Sequence, residues 1–257
     1  MHMADYKHDH RPIVFLHLPK TGGQTIHHSV GGQVGGRFIS PYRLQTQVKA
    51  GPTFPPEYRM HSGHLNWQSL EQVAGNPFSF MVLREPRERL GSFYFFMRAE
   101  ARKARDTHGE EALSPVQRAI LTSASAVFFS DDPHIRRMVN EGWSNLSLTY
   151  LATRTLRRQE PMTSGPPPHL PAPAQENTRP PSAIYRFGEF DKLEADLETV
   201  LGNRPGIVTK RANPGPLDPA VSRWGALLDE LDSDAERQGM DRYVDEDEIL
   251  MQRIDFR

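Results

Sequence analysis

The chain has 257 residues, with 31 Lys and Arg against 32 Asp and Glu, so its formal net charge is −1. A balance so close to zero argues against a protein that binds nucleic acid over its whole surface, although it is compatible with a local basic cleft. The absence of cysteine excludes disulfides, thiolate metal sites and a cysteine nucleophile. We predict a cytoplasmic protein, because no apolar run approaches the roughly 20 residues of a membrane span and the polar start lacks a signal-peptide core.

The length suits one α/β domain, which we place over residues 12–257, after a segment 1–11 that we interpret as disordered or as a cloning remnant. Within this domain, residues 98–160 predict a helical insertion, and residues 218–257 predict a helical C-terminus. The Pro-rich stretch 161–181 is longer than an ordinary connection and predicts a loop without regular structure.

Short apolar runs predict strands at 13–18, 78–83 and 183–187. Such runs suit strands that are covered on both faces of a sheet. Helix signals follow each run. They are a Gly-rich turn before Gln24, Pro86 with an apolar face from Leu90 to Met97, and Asp191 as an N-cap with Glu194 completing a capping box. Repeated strand–turn–helix units predict a mostly parallel sheet flanked by helices, with ligands at the carboxyl ends of the strands.

The segment 18–25, Leu-Pro-Lys-Thr-Gly-Gly-Gln-Thr, has the composition of an anion-binding turn. Its glycines allow backbone N–H groups to approach an anion, and the helix N-terminus adds a positive dipole end. Lys20 supplies a mobile cation. The other predicted contacts are Thr21, Gly22, Gly23, Gln24 and Thr25. The segment differs from a Walker A loop, in which Lys follows the second glycine, so the magnesium geometry of that motif is not expected. On its own, such a turn is most often structural.

A second anion-binding signal follows the second predicted strand. Arg84 stands at the strand end, and Ser92 lies eight residues later on the next helix. A guanidinium fork with a hydroxyl suits recognition of a terminal phosphate.

Together the two segments resemble the family of sulfotransferases that use 3'-phosphoadenosine 5'-phosphosulfate (PAPS). Residues 19–23 resemble its 5'-phosphosulfate loop, and Arg84 and Ser92 match the Arg and Ser of its 3'-phosphate site. The pattern Leu-Arg-Glu-Pro-x-Glu-Arg-Leu-x-Ser-Phe-Tyr is most similar to the carbohydrate branch, which includes heparan sulfate 2-O- and 6-O-sulfotransferases. The resemblance covers residues 13–30, 60–97 and, more weakly, 183–214. It implies a P-loop kinase-like fold and, without a Golgi anchor, a bacterial cytosolic relative. Gln24 departs from the Thr or Ser of the family.

The resemblance also implies a catalytic base between the two anion sites. The segment 61–67, His-Ser-Gly-His-Leu-Asn-Trp, is similar to the stretch that carries the catalytic His of carbohydrate sulfotransferases. We assign the base to His64, with His61 in reserve, because a group that titrates near neutrality suits proton removal from a hydroxyl. Other branches use a carboxylate, so Glu57 and Glu71 stay open as alternatives.

Further residues fit a donor or acceptor site. The family has a basic loop around the 3'-phosphate, which makes Lys210 and Arg211 candidates for donor binding. Arg136 and Arg137 could contact an acidic acceptor, and Trp67 could stack on a sugar ring. For each of these side chains, an exposed helix face, a solvated loop or a place in the core is a competing interpretation.

The resulting hypothesis is transfer of a sulfuryl group from PAPS to a hydroxyl of an acceptor, with PAP as product. The resemblance implies that the acceptor is a carbohydrate. Lys20 would stabilise the developing charge and no metal is required. The alternatives are a P-loop-type small-molecule kinase and a non-catalytic nucleotide-binding module. The acceptor and the oligomeric state are not determined by the sequence.

Overall fold

The computed structural model describes residues 11–157, 180–209 and 216–257. The strands are β1 (Ile13–Leu16), β2 (Met60–Gly63), β3 (Phe78–Leu83) and β4 (Ala183–Arg186). The helices are α1 (Gly23–Val34), α2 (Pro86–His108), α3 (Pro115–Thr122), α4 (Ser125–Phe128), α5 (Pro133–Gly142), α6 (Leu146–Thr153), α7 (Phe190–Leu201), α8 (Arg223–Leu228), α9 (Asp234–Gly239) and α10 (Asp245–Arg253). Within these ranges no helix combines the length and the apolar character needed to cross a membrane.

The chain divides into two compact units. The first takes in Met1–Leu83, Ala172–Asn213 and Asp255–Arg257, and the second takes in Arg84–Pro171 and Pro214–Ile254. The first unit contains all of the strands named above with α1 and α7, and the second contains the remaining helices. The prediction of one domain over residues 12–257 stays a prediction.

The first unit is built on a four-stranded, all-parallel sheet with the strand order β2-β1-β3-β4. Ile13 pairs with Met60 on one side of β1 and with Phe78 on the other, so β1 is a central strand. This confirms the predicted parallel α/β sheet flanked by helices. The carboxyl ends of parallel strands lie at one edge, so the turns that follow β1 and β2 emerge together there.

The predicted strands are found within one or two residues of their predicted limits, whereas β2 was not predicted. Its sequence, Met-His-Ser-Gly, has one apolar side chain in four residues, yet all four residues are buried. Pairing with β1 over its whole length holds this polar segment in the sheet. The strand propensities of these four residues could not reveal β2, because its extended conformation depends on pairing with β1.

A chain segment from residue 39 to residue 47 runs beside β2. Isolated parallel bridges join Ile39 to Met60 and Leu44 to His64. Between them the His64 amide donates to the Arg43 carbonyl at 2.8 Å, and the Gln45 amide donates to the His64 carbonyl at 2.9 Å. His64 therefore has its backbone held on both sides just beyond the end of β2.

The core of the first unit lies between one face of the sheet and helices α1 and α7. Phe15, Phe80 and Tyr185 from the sheet pack with Ile26 of α1 and Leu197 of α7, and each is at most 1% exposed. The predicted buried face of α7, which is Leu193, Leu197, Val200 and Leu201, is confirmed. Gly202 ends this helix in the left-handed conformation, as predicted.

The predicted capping box of α7 is wrong. The helix begins at Phe190 with Glu189 as N-cap, so Asp191 lies inside the first turn, and the N-cap makes no side-chain hydrogen bond. Glu194 instead accepts a hydrogen bond from the Ile207 amide at 2.8 Å. The buried Glu194 side chain thus satisfies a backbone donor that is distant in sequence, and a pattern of neighbouring residues cannot reveal such a donor.

The second unit is helical among its described residues. Pro86 stands at the first position of α2, where a backbone N–H would have no acceptor within the helix. The Glu85 carboxylate caps the helix by accepting the Arg87 and Glu88 amides. Leu90 and Tyr94 are buried, and Phe93 and Met97 pack against the same cluster, which confirms the predicted apolar face. Residues 98–157 are mostly helical, and the predicted helical C-terminus is confirmed for the residues described. That residues 98–160 form an insertion stays a prediction.

Candidate functional site

The candidate site is built on the turn between β1 and α1 in the first unit. Lys20 adopts a left-handed backbone conformation with φ +69°, and Gly22 does the same with φ +80°. A non-glycine residue in this region is held at a cost of about 1 kcal/mol or more and is concentrated at functional turns. The strain at Lys20 therefore supports a specialised role for the turn.

The N-terminus of α1 has the properties of an anion site. Its N-cap, Gly22, makes no side-chain hydrogen bond, and the first turn contains no acidic residue. The first amides of a helix lack intrahelical acceptors, and its dipole favours a negative charge there. Gln24 and Thr25 lie in the first turn of α1, which begins close to where it was predicted. The Gln24 side chain is exposed and the Thr25 side chain is half-buried.

Thr21 and Gly22 are fixed by contacts inside the turn. The fully buried Thr21 hydroxyl donates to the Leu18 carbonyl at 2.9 Å, which braces the turn from within. A Cβ atom on Gly22 would lie 3.2 Å from Phe187 and 3.3 Å from Phe190, so these aromatic rings pack closely on the loop. Gly22 is thus required both by its backbone angle and by the available space.

His17 occupies the space that a side chain at Gly23 would fill. A Cβ atom on Gly23 would lie 1.8 Å from His17 Nε2, which is far inside contact distance. The ring also stacks on Phe15, with the centroids 5.0 Å apart. His17 is 5% exposed and its Nδ1 has no hydrogen-bond partner, so burial lowers its pKa well below the ordinary value, helped by the positive charges around it. His17 is therefore a neutral part of the turn.

His64 has the geometry of a general base. Its ring stacks on His17 with the centroids 4.3 Å apart, and its Nδ1 lies 2.8 Å from the His17 carbonyl oxygen. Because a carbonyl oxygen can only accept, Nδ1 carries the proton and donates a hydrogen bond to the His17 carbonyl. The other ring nitrogen, Nε2, then has a lone pair that can take a proton.

Electrostatics keep His64 in its basic form. Burial lowers its pKa, the charge of Arg43 lowers it further, and the hydrogen bond to His17 partly opposes both effects. The charge of Lys20 makes a small further contribution to lowering the pKa of His17. A positively charged side chain, an open helix N-terminus and a neutral imidazole thus lie around one turn.

His61, the reserve base, has a different environment from His64. It is 1% exposed and packs edge-on against Phe54, with the ring centroids 5.5 Å apart. Its Nδ1 has no hydrogen-bond partner, and burial lowers its pKa to about 4. Such a closed ring has no open path to an acceptor hydroxyl, so the structure favours His64 over His61 as the base.

Arg43 was not predicted from the sequence, although it lies against the end of β2 and the backbone of His64. Its Nη1 donates to the Ser62 carbonyl oxygen, to the Ser62 hydroxyl at 3.1 Å, and to His27 Nδ1. An arginine only donates, so His27 Nδ1 is unprotonated, and burial together with the charges of Arg43 and His28 lowers the pKa of His27 to about 4. Sequence spacing gave no signal for Arg43, since its partners lie 16 and 19 residues away.

The predicted 3'-phosphate residues belong to the second unit. Arg84 directly precedes the Glu85 cap of α2, and its Nη2 lies 3.4 Å from Glu88. Burial lowers the pKa of Arg84 while the charge of Glu88 raises it. Ser92 lies half-buried in α2. Both residues are therefore held by an ordered helix start within their own unit.

The Glu88 carboxylate also organises the start of α8. It accepts hydrogen bonds from the Ser222 hydroxyl at 2.7 Å and from the Arg223 and Trp224 amides at 3.2 Å each. Because these contacts involve both carboxylate oxygens, the position of Glu88 beside Arg84 is fixed. They also lower the pKa of Glu88 against the effect of its burial, so Glu88 stays ionised.

The remaining predicted residues are scattered. Trp67 is 2% exposed, so its ring faces are largely covered by protein. Arg136 and Arg137 are exposed on α5, where Arg137 pairs with Glu141 at 2.6 Å. The alternative bases Glu57 and Glu71 are exposed. Lys210, Arg211 and most of the Pro-rich stretch 161–181 lie outside the described residues.

Comparison with protein-family models, with curated proteins and with solved structures finds no match for this chain. Over residues 11–157, 180–209 and 216–257, no group of three or more His, Asp or Glu side chains is close enough to hold a metal ion. The argument for function therefore depends on the turn, the two stacked histidines and the sequence resemblance.

Proposed function

We propose that the protein is a PAPS-dependent sulfotransferase that acts on a hydroxyl, and that the acceptor is a carbohydrate. The observation that carries the proposal is the hydrogen bond from His64 Nδ1 to the His17 carbonyl beside the turn that holds Lys20. This contact leaves Nε2 as the basic nitrogen of His64, beside the turn that we propose as the binding loop of the donor. Sulfuryl transfer to a hydroxyl calls for such a pair of groups, and the contact supports the proposal in that way.

The proposed step is an in-line displacement at sulfur. The acceptor oxygen forms a bond to sulfur while the bond from sulfur to the bridging phosphate oxygen breaks. The acceptor proton moves to His64 Nε2, and PAP leaves with the negative charge on its 5'-phosphate. Lys20 and the first amides of α1 stabilise the charge that develops on the bridging oxygen.

The turn also offers an apolar surface for a nucleotide base. Phe187 is 36% exposed and packs edge-on with Phe190, while both rings lie against Gly22. An aromatic face beside a phosphate loop suits stacking of a nucleobase. This placement supports a nucleotide donor over inorganic sulfate or phosphate as the ligand of the loop.

Calorimetric titration with PAP, in parallel with ATP, tests the donor. We expect micromolar binding of PAP, weak binding of ATP, and a large loss of PAP affinity in Lys20→Ala. The matched control is Lys49→Ala, which removes an exposed lysine from the same unit. Equal binding of ATP and PAP would contradict the sulfotransferase proposal and favour the kinase, and an unchanged affinity in Lys20→Ala would remove the turn from the site.

The sequence prediction for Arg84 and Ser92 forms a separate part of the proposal. If these residues bind the 3'-phosphate, Arg84→Ala weakens PAP binding far more than binding of adenosine 5'-phosphosulfate, which lacks that phosphate. A charged group lost from a bidentate phosphate contact removes several kcal/mol only when the phosphate is present. An equal loss for both ligands would show that Arg84 acts through the fold of α2.

A further inference from the structure

Arg43 contacts the chain on both sides of Gly63. Its guanidinium donates to the Ser62 carbonyl and hydroxyl, while its backbone carbonyl accepts the His64 amide at 2.8 Å. A Cβ atom on Gly63 would lie 2.5 Å from the Arg43 carbonyl oxygen, so this approach requires a glycine. Arg43 therefore holds the end of β2 through its side chain and its backbone together.

The same guanidinium joins the end of β2 to helix α1. Its Nη1 also donates to His27, which lies one turn into α1 from the anion-binding turn. His64 is linked to the chain at the end of β1 by its own hydrogen bond to His17. Two connections thus set the base relative to the loop, one from β1 and one through Arg43 from α1.

Arg43 has no acidic partner in the described parts of the chain. Among the ion pairs there, none includes this residue, although its side chain is half-buried. An arginine that serves stability alone is usually paired when it is withdrawn from water. Here the positive charge acts on histidines instead, because it lowers the pKa of His17, His27 and His64.

We propose that Arg43 is a positioning residue for His64, which it holds in place from both sides of Gly63 while anchoring it to α1. This role rests on the proposed function, since it assumes that His64 is the base. The charged or titratable groups around the two rings are Arg43, Lys20, His17 and His27. With Arg43 present, His64 keeps its proton on Nδ1 and stays neutral to a lower pH than an ordinary histidine.

The test compares Arg43→Met with Arg37→Met. Both changes remove an arginine, but Arg37 is exposed and lies over the Phe38 ring rather than against β2. Nitrogen NMR of histidine-labelled protein reports the tautomer and the titration of His64, whose signal is assigned from its absence in His64→Gln. We expect the His64 titration to move to higher pH in Arg43→Met, with a mixed tautomer, and to stay at the wild-type position in Arg37→Met.

Kinetics provide the second measurement. With PAPS and a hydroxyl acceptor, Arg43→Met should lose at least about threefold more kcat at pH 6 than at pH 8, because more of the base is protonated. Arg43→Lys restores the charge, so it should recover the pH profile in part. A single ammonium cannot reach both Ser62 and His27 in the same way as a guanidinium, so the recovery is incomplete.

The outcomes separate the two proposals. A shifted His64 titration without any turnover of PAPS would keep the effect of Arg43 on the pKa and tautomer of His64, but it would reject the sulfotransferase and with it the positioning of a catalytic base. Turnover of PAPS with an unchanged titration and an unchanged pH profile would reject the role of Arg43 alone. If Arg43→Met does not fold, Arg43→Gln removes the charge but keeps an amide donor, and it is judged by the same two measurements.

Discussion

The two units keep charged side chains from water in different ways. In the second unit, Arg89 and Asp247 are both fully buried and lie 3.8 Å apart, and Asp247 also accepts the Ser147 and Leu148 amides at the start of α6. At the end of β2 in the first unit, Arg43 is bound to a carbonyl, a hydroxyl and an imidazole. The first arrangement is closed within the protein, whereas the second leaves a net positive charge beside an open helix terminus. That difference is the contrast expected between a structural ion pair and a site for an external anion, which is the role we propose for the first unit.

Loss of the His64 imidazole should have the largest effect. Under the proposed mechanism His64→Gln removes the proton acceptor, and general base catalysis of this kind is worth about 10²–10⁴ in kcat. PAP binding should persist, since the turn is intact. Steady-state kinetics with calorimetry measure the two separately, and His108→Gln, which changes an exposed histidine of α2, is the control. A loss of PAP binding in parallel with kcat would mean that His64 supports the turn rather than the chemistry.

Breaking the buried ion pair should have the largest effect on stability. Asp247→Asn leaves the Arg89 charge buried without its anion, which costs about 3–5 kcal/mol in comparable pairs. Chemical denaturation of the variant measures this loss. Arg89→Met combined with Asp247→Asn should regain part of it, since no lone charge is then buried. If Asp247→Asn is as stable as the wild type, the contrast between the two units fails.

Acidification should destabilise the fold through His61. Its pKa is about 4 in the folded protein against 6.5 for an ordinary histidine, so the unfolded chain binds the extra proton first. The contribution of His61 to the free energy of unfolding is fully present above about pH 6.5. It is lost as the pH falls toward 4 and amounts to about 3 kcal/mol. Thermal unfolding across this range measures the slope. His61→Leu should remove the share of the slope that His61 contributes, while His17, His27 and His64 keep theirs. It should reduce kcat far less than His64→Gln, whereas an equal loss of kcat would return His61 to the role of base.

The packing of the turn gives the smallest predicted effect. Gly23→Ala pushes a methyl group into the His17 ring and should destabilise the protein by about 1–3 kcal/mol, which is typical of overpacking. In a His17→Ala background the same substitution should cost almost nothing, because the ring is gone. Denaturation of the four proteins in this cycle measures the coupling. If the losses of stability from Gly23→Ala and His17→Ala simply add in the double variant, Gly23 is required for a reason other than its contact with His17.

The sequence predicted those parts of the fold and the site that depend on local patterns. The apolar runs of β1, β3 and β4 and the apolar face of α2 are local, and so are the glycines and Lys20 of the turn. His64 was assigned by resemblance, and the structure gives it a hydrogen bond that suits a base. Its roles and those of Arg84 and Ser92 in catalysis and donor binding stay predictions.

Tertiary structure decided the rest, because the deciding contacts join residues far apart in the chain. β2 is extended because it pairs with β1, and Glu194 binds the Ile207 amide rather than capping its own helix. Arg43 lies against the backbone of His64 because residues 39–47 run beside β2. This close approach is possible because residue 63 is a glycine, which has no Cβ atom to meet the Arg43 carbonyl. The sequence by itself therefore determined the turn at which we propose an anion to bind, and only the packing of the strands decided which nitrogen of His64 is basic.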